Sequence, residues 1–348
     1  MSETRLVEFD ILKGVSILLV IIGHSRCFCP LYEFVNSFHV PLFFIISGFF
    51  FSMSGEWGGY LRKSIKRLLR PYVVVSIIIC LLWSISKDHY EIIIIESLLG
   101  ESFDNVYSIT LGPAWFFLSL FFCKLFYRFI AVNINDLWKR TVVVLIISTV
   151  VCILRNNQYI DNGLYQITIG IVSLFYYHAG VLFSKYSDVI MAYEYHKIRL
   201  IVVLISLVVS LFCVLYYVKN NTAMLFVASG FPCFPLDYLN AVLLSFSLFV
   251  IVKYISVCHF FCKALDFITW IGKNSIVIYF IHCIEYQFTI EPLGDFVDLY
   301  FKSGNNIIYG ALRLLNPLVQ ILICTGGLYL YQILPPKLSQ LSLTNRRS

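Results

Sequence analysis

Residues 9–25 read FDILKGVSILLVIIGHS. The stretch is apolar except for Asp10, Lys13 and His24, and ionisable groups in such a segment are costly enough to require a use. Its length is close to the roughly 20 residues that cross a bilayer as a helix. A second apolar segment follows at once, with no small-residue cleavage pattern between them, so the stretch is expected to stay in the membrane. Composition extends that reading to the rest of the chain. Of 348 residues, 59% are hydrophobic, 17% aromatic and 13% charged. A soluble domain of this size requires more polar surface. The apolar runs are long and lack strict alternation, which selects helices over a barrel. The expected fold is all-α: a polytopic integral membrane protein with about ten transmembrane helices.

The candidate spans fall at about 11–30, 38–53, 71–86, 112–131, 141–155, 164–184, 199–218, 236–253, 268–289 and 307–334. Pro41, Ser47 and Gly48 are expected to interrupt the second. Charge sets the orientation. With the N-terminus in the cytoplasm, the basic loop YLRKSIKRLLRPY (60–72) lies inside. So do Lys139, Arg140, Lys197, Arg199, Lys253, Lys263, Lys273, Lys337, Arg346 and Arg347. Roughly 20 of the 26 Lys and Arg then lie on the inner side, the bias of the positive-inside rule. The outer loops collect Asp88, Glu91, Glu96, Glu101, Asp104, Glu291, Asp295 and Asp298. Both termini are thus expected in the cytoplasm, around a single membrane-embedded domain over 1–348. The formal net charge of +6 belongs to this topology and not to nucleic acid. Eleven cysteines, an odd number at irregular spacing, read as small buried residues; Cys80, Cys123, Cys152, Cys213 and Cys324 sit inside apolar runs. Cys27 and Cys29 near an outer loop fit packing, and also a pairing there.

Lys13 and His24 are eleven residues apart. At 100° per residue that is three turns plus about 20°, so they share one helix face, roughly 16 Å apart along the axis. Asp10 precedes Lys13 by three residues and can pair with it. Lys13 fits a snorkelling cation at a helix end and His24 a helix–helix hydrogen bond; function is the default for an intramembrane histidine. His39 opens the next span on the same side as His24, so the two imidazoles are expected to be neighbours, although an interfacial role also fits His39. Arg67 and Arg70, spaced i,i+3, suit a phosphate clamp and equally a topogenic basic loop. His282 and Glu285 share a face of the ninth span and suit proton handling; Glu285 also fits the outer interface. Trp115 follows a helix-starting Pro113 and suits the aromatic belt. His178 is read as packing. No metal is expected, because the histidines lack Cys or carboxylate companions at ligand spacing.

DILKGVSILLVIIGH (10–24), FHVPLFFIISGFFF (38–51), KRLLRPY (66–72), GPAWFFLSLFF (112–122) and IGKNSIVIYFIHC (271–283) occur in an order that resembles acyltransferase family 3, from about residue 5 to residue 335. The basic residue, ten residues, then histidine is matched by Lys13 and His24, and Arg-x-x-Arg by Arg67 and Arg70. The chain looks like the stand-alone type, without the SGNH esterase-like domain of some members. Some relatives carry Arg where this chain has Lys13, which implies a point-charge role here. The resemblance implies a multi-span O-acetyltransferase of the bacterial inner membrane. It would act on surface sugars such as O-antigen, capsule or exopolysaccharide. The donor would be cytoplasmic acetyl-CoA. The acceptor would be a polysaccharide or lipid-linked sugar. Arg67, Arg70 and Lys13 would hold the donor's phosphates. His24 would act as base or acetyl carrier, with His39 and His282 orienting the sugar or relaying its proton. Asp10, Trp115, Asn274, Ser275 and Glu285 would support them. A polytopic transporter or flippase of a glycan precursor, and a non-catalytic assembly subunit, are the alternative readings; no internal repeat favours the first.

Overall fold

The computed structural model describes residues 7–25, 27, 29–86, 112–160, 165–222, 224, 226, 230–256, 262–286, 288, 296–299 and 306–333. Asp88, Glu91, Glu96, Glu101, Asp104, Glu291, Asp295, Lys337, Arg346 and Arg347 lie outside the described residues. The regular elements among those described are helical: α1 Val7–His24, α2 Cys29–Asn36, α3 His39–Phe49, α4 Trp57–Ser64, a π turn Ile65–Leu69, α5 Arg70–Ser86, α6 Trp115–Asn133, α7 Leu137–Asn156, α8 Tyr165–Val172, α9 Leu174–Met191, α10 His196–Asn220, α11 Leu236–Ile255, α12 Cys262–Lys273, α13 Ser275–Glu285 and α14 Asn306–Ile333.

Among the described residues, six segments are long and apolar enough to cross a membrane: Trp115–Asn133, Leu137–Asn156, Gln166–Met191, His196–Asn220, Leu236–Ile255 and Ile308–Ile333. The bent pair α12 and α13, 75° apart, makes a seventh if it counts as one span. Three expected spans fall outside this set for local reasons. α1 carries Glu8, Asp10 and Lys13 within its 18 residues. α3 has 11 residues, and α5 has 17. The side-chain pattern is that of lipid-facing helices. Along α10, Leu204, Val208, Leu211 and Leu215 are exposed, while Ser206, Ser210 and Cys213 are buried, the reverse of a soluble helix. Ser206 Oγ meets Ser247 Oγ of α11 at 2.7 Å, a hydroxyl contact of the kind that joins helices in lipid. Cys123, Cys152, Cys213 and Cys324 are buried, as expected of packing residues. The chain is an all-α polytopic membrane protein.

Several boundaries differ from the sequence expectation. The first span ends at His24, six residues short of the expected 30. Ser25 Oγ turns back to Ile22 O at 2.8 Å, and Pro30, tolerated only in a first turn, helps start the separate α2. The second span is not broken: Pro41 lies in the first turn of α3 and Gly48 next to its end. The ninth span is broken. Asn274 separates α12 from α13, its N–H on Ile271 O at 3.0 Å and its Nδ2 on Trp270 O at 2.8 Å.

Contacts divide the chain into two compact units: 1–51 with 179–282 and 288–328, and 52–178 with 283–287 and 329–348. In the first, α1 packs against α12 with almost no side chain between them. A Cβ on Gly14 would lie 2.2 Å from Ile268 O, and one on Gly272 1.7 Å from Asp10 O. Two glycines thus let the backbones touch, as small residues do in membrane helices, and fix the height of α1. In the second unit, α6 packs on α8 and on the π turn. Arg140, buried, donates to Ile134 O at 2.9 Å and to Ala131 O at 3.4 Å, covering carbonyls that the end of α6 leaves open. A residue read as topogenic is therefore also a structural cap.

Candidate functional site

The first unit gathers the three histidines that the sequence singles out. Lys13 and His24 ride on one unbroken helix, α1. The ring centroids of His24 and His39 are 5.9 Å apart, nearly perpendicular; those of His24 and His282 are 5.5 Å apart. His24 is thus within ring-contact distance of both other imidazoles. Each ring comes from a different helix, α1, α3 and α13, so tertiary packing alone brings them together. Gly23 lets the cluster close: a Cβ there would stand 3.2 Å from His39 Cε1.

The hydrogen bonds around the cluster fix one tautomer. His39 Nδ1 is 2.9 Å from Val35 O, and a carbonyl only accepts, so Nδ1 carries the proton. Nε2 is then a bare lone pair. It is buried and has no hydrogen-bond partner among the described residues, an arrangement that costs about 1–3 kcal/mol when nothing binds there. A nitrogen of this kind can accept a proton, and it is positioned by the bond on the far side of its ring. The backbone on both sides of His24 is also held: Asn36 Nδ2 donates to Gly23 O at 3.4 Å, and Asn316 Nδ2 donates to Ser25 O. Sequence reasoning missed Asn36 and Asn316. Amides in apolar segments were the available signal, as such groups usually bond across helices.

The remaining candidates are placed as follows. Lys13 pairs with buried Asp10 at 3.7 Å and sits 5.3 Å over the Phe50 ring. About 16 Å of helix separates it from His24, so it is not part of the cluster. Glu285 lies one turn beyond His282 on α13, buried like it; His282 therefore does have a carboxylate companion on its own helix. Asn274 and Ser275 form the bend at the foot of α13, seven or more residues from His282, and act on the site by aiming that helix. Trp115 starts α6 and meets Phe116 edge-on at 6.3 Å.

Arg67 and Arg70 belong to the second unit, and both are exposed. They are not in α-helical i,i+3 register. The backbone N–H of Arg70 reaches Ile65 O in an i→i+5 turn. The cause is the next residue: Pro71 has no N–H to return to the preceding turn. Single π turns of this sort concentrate at functional sites. Three residues that sequence reasoning missed surround the turn. Tyr60 donates its hydroxyl to Lys124 O at 3.2 Å. Arg128, 3% exposed, lies 4.3 Å over the Tyr60 ring and donates to Gly55 O. Lys124 is close enough to Arg67 and Lys63 to feel both charges. Chemically this is a basic, aromatic-backed face suited to an anion.

His178, read as packing, has both nitrogens occupied. Thr141 Oγ1 gives its proton to Leu137 O at 2.9 Å and so accepts from His178 Nε2 at 2.8 Å; Nδ1 then accepts from Tyr127 at 2.8 Å.

The family model described as an acyltransferase domain matches residues 6–334. No curated protein and no solved structure matches the chain. The match covers nearly the whole chain and spans every residue placed above, and the helices are those of a membrane protein. The chain belongs to acyltransferase family 3 and is a membrane acyltransferase.

Proposed function

We propose that the protein transfers an acetyl group from acetyl-CoA to a hydroxyl of a surface-polysaccharide sugar, free or lipid-linked, in a bacterial cytoplasmic membrane with both termini inside. The observation that carries this reading is the imidazole cluster: His24 within 5.5 and 5.9 Å, centroid to centroid, of two further rings. Neutral His24 takes the proton of the sugar hydroxyl as its oxygen attacks the thioester carbonyl. The carbon–sulfur bond then breaks, and the sulfur leaves with the electron pair and takes the proton from His24. A thiol with a pKa near 8.5 leaves with little acid assistance. General-base help of this kind is typically worth about 10²–10⁴-fold. His39, with Nε2 bare and Nδ1 tied to Val35 O, suits a second proton holder, and the His282 ring lies 5.5 Å from that of His24. Arg67 and Arg70, with the charges gathered at the π turn, suit the phosphates of the donor. Lys13, at the foot of α1, suits a point-charge contact to a donor phosphate.

The test is mass spectrometry of the host's surface glycan with and without the chain. A gain of one acetyl unit per repeat is expected, and it should vanish in a His24→Ala strain whose protein still inserts. Parental acetylation by that strain would remove His24 as the base. A glycan identical with and without the chain would remove the reaction.

A further inference from the structure

α14 carries two amides inside an otherwise apolar run: Asn316, 4% exposed, and Gln320, 0% exposed. They form a ladder. Asn316 Nδ2 donates to the carbonyl of Ser25, the residue next to His24. Gln320 Nε2 donates to Asn316 Oδ1 at 3.0 Å. The ladder then stops, because Gln320 Oε1 is buried with no partner among the described residues. Each amide nitrogen gives an N–H to a partner, so the atom left without any hydrogen bond among the described residues is an oxygen, an acceptor. An orphaned buried acceptor costs about 1–3 kcal/mol, and lipid offers no water to relieve it. Leucine or methionine at 320 would avoid that cost.

Two contacts bracket the position. At 316, α14 touches the neighbour of His24. At 327 it touches the neighbour of His282: a Cβ on Gly327 would stand 3.1 Å from Ile281 Cγ2. At 100° per residue, positions 316, 320 and 327 fall within about 40° of one another. Gln320 therefore lies on the face of α14 that meets both neighbours, between them along the axis. The rings of His24 and His282 are 5.5 Å apart at that seam. A bare amide oxygen there has nothing to offer a thioester or a thiolate, which need donors. It suits a ligand that brings O–H groups of its own.

We propose that Gln320 binds the acyl acceptor, its Oε1 accepting a hydrogen bond from a hydroxyl of a carbohydrate, one that neighbours the hydroxyl being acylated. The inference rests on the acetyl-transfer reading above and adds to it the residue that selects among polyhydroxylated acceptors. A site that hydrogen-bonds a substrate hydroxyl discriminates strongly against analogues lacking it.

The experiment uses the full-length protein in detergent, with acetyl-CoA as donor and the surface glycan of its own cell as acceptor. It compares the unaltered protein with Gln320→Met, which keeps the bulk and removes the acceptor oxygen. The expected result is a KM for glycan raised about tenfold or more, the loss of one hydrogen bond of about 1.4 kcal/mol or above. The KM for acetyl-CoA and the thiol release seen without glycan should stay within about twofold. An unchanged glycan KM overturns the proposal. A joint fall of glycan transfer, acetyl-CoA affinity and glycan-free thiol release also overturns it, because that pattern marks a structural amide. If Gln320→Met does not accumulate, the unaltered protein is offered repeat units lacking one hydroxyl each. One of them, still carrying the acylated position, must lose tenfold or more in kcat/KM, and the absence of any such analogue overturns the proposal. No transfer by the unaltered protein overturns the acetyl-transfer reading itself and this inference with it. Normal transfer with an insensitive glycan KM removes Gln320 alone.

Discussion

His39 and His178 are buried alike, 2% and 3% exposed, in two different units of the molecule. They differ in what their nitrogens do. His178 spends both, one on Tyr127 and one on Thr141. His39 spends Nδ1 on Val35 O and leaves Nε2 bare beside His24. A saturated imidazole is a structural cross-link whose loss exposes its partners. An imidazole with one bare nitrogen is held in place and still able to accept a proton. Burial alone does not distinguish a working histidine from a packing one; the count of its satisfied nitrogens does.

The largest effect should fall on the cluster. His24→Ala is expected to lower acyl transfer about 10²–10⁴-fold at normal insertion, measured as labelled acetyl reaching glycan. His39→Asn sharpens the comparison. The Asn amide occupies the place of Nδ1 and can keep the bond to Val35 O, but nothing replaces Nε2. A fall in kcat of about tenfold or more, with an unchanged melting temperature, is expected. A parental kcat would return His39 to the class of His178.

Arg67→Ala with Arg70→Ala should raise the KM for acetyl-CoA about 10–100-fold, the scale of one or two charge-assisted hydrogen bonds, and leave the KM for glycan in place. An unchanged donor KM would mean that the basic turn serves topology. His178→Phe should do the opposite of His39→Asn. It removes the acceptor of the Tyr127 O–H and the donor to Thr141 Oγ1, so stability should fall by about 1–3 kcal/mol, read as melting temperature in detergent. The kcat of the protein that remains folded should not change; a fall would put the second unit's histidine in the chemistry.

Much of this was legible in the sequence. Long apolar runs dictate helices, and the eleven-residue interval between Lys13 and His24 holds because α1 is continuous through both. What escaped were features set by single residues or by partners far along the chain. Pro30 and Ser25 split the first span. Pro71 turns one helical turn into a π turn and takes Arg67 and Arg70 out of register. Asn274 bends the ninth span. The meeting of His24 with His282, 258 positions on, depends on α1 and α12 touching at Gly14 and Gly272, and on α13 being aimed by the bend. No local periodicity reports that. Nor could spacing reveal which histidine has a bare nitrogen, since the answer lies in a carbonyl four residues earlier for His39 and in two other helices for His178.

The smallest expected effect tests the shoulder of the cluster. α2 holds Val35, which orients His39, and Asn36, which holds Gly23 O. It also carries Glu33, buried, with Oε2 unpartnered among the described residues. Burial pushes the Glu33 carboxyl up from 4.5 to about 7. Between those two values the folded protein keeps a proton that the unfolded chain has released, so stability must fall as pH rises through that window, and level off above it. The slope from one group is at most about 1.4 kcal/mol per pH unit. Melting temperatures in detergent from pH 5 to 8 should show this decline, and Glu33→Gln, neutral and of the same shape, should flatten it. An equal decline in the variant would move the cause elsewhere. A flat melting profile together with a kcat that still varies over the same range would place the proton on the histidines instead, and so separate the support of the site from its chemistry.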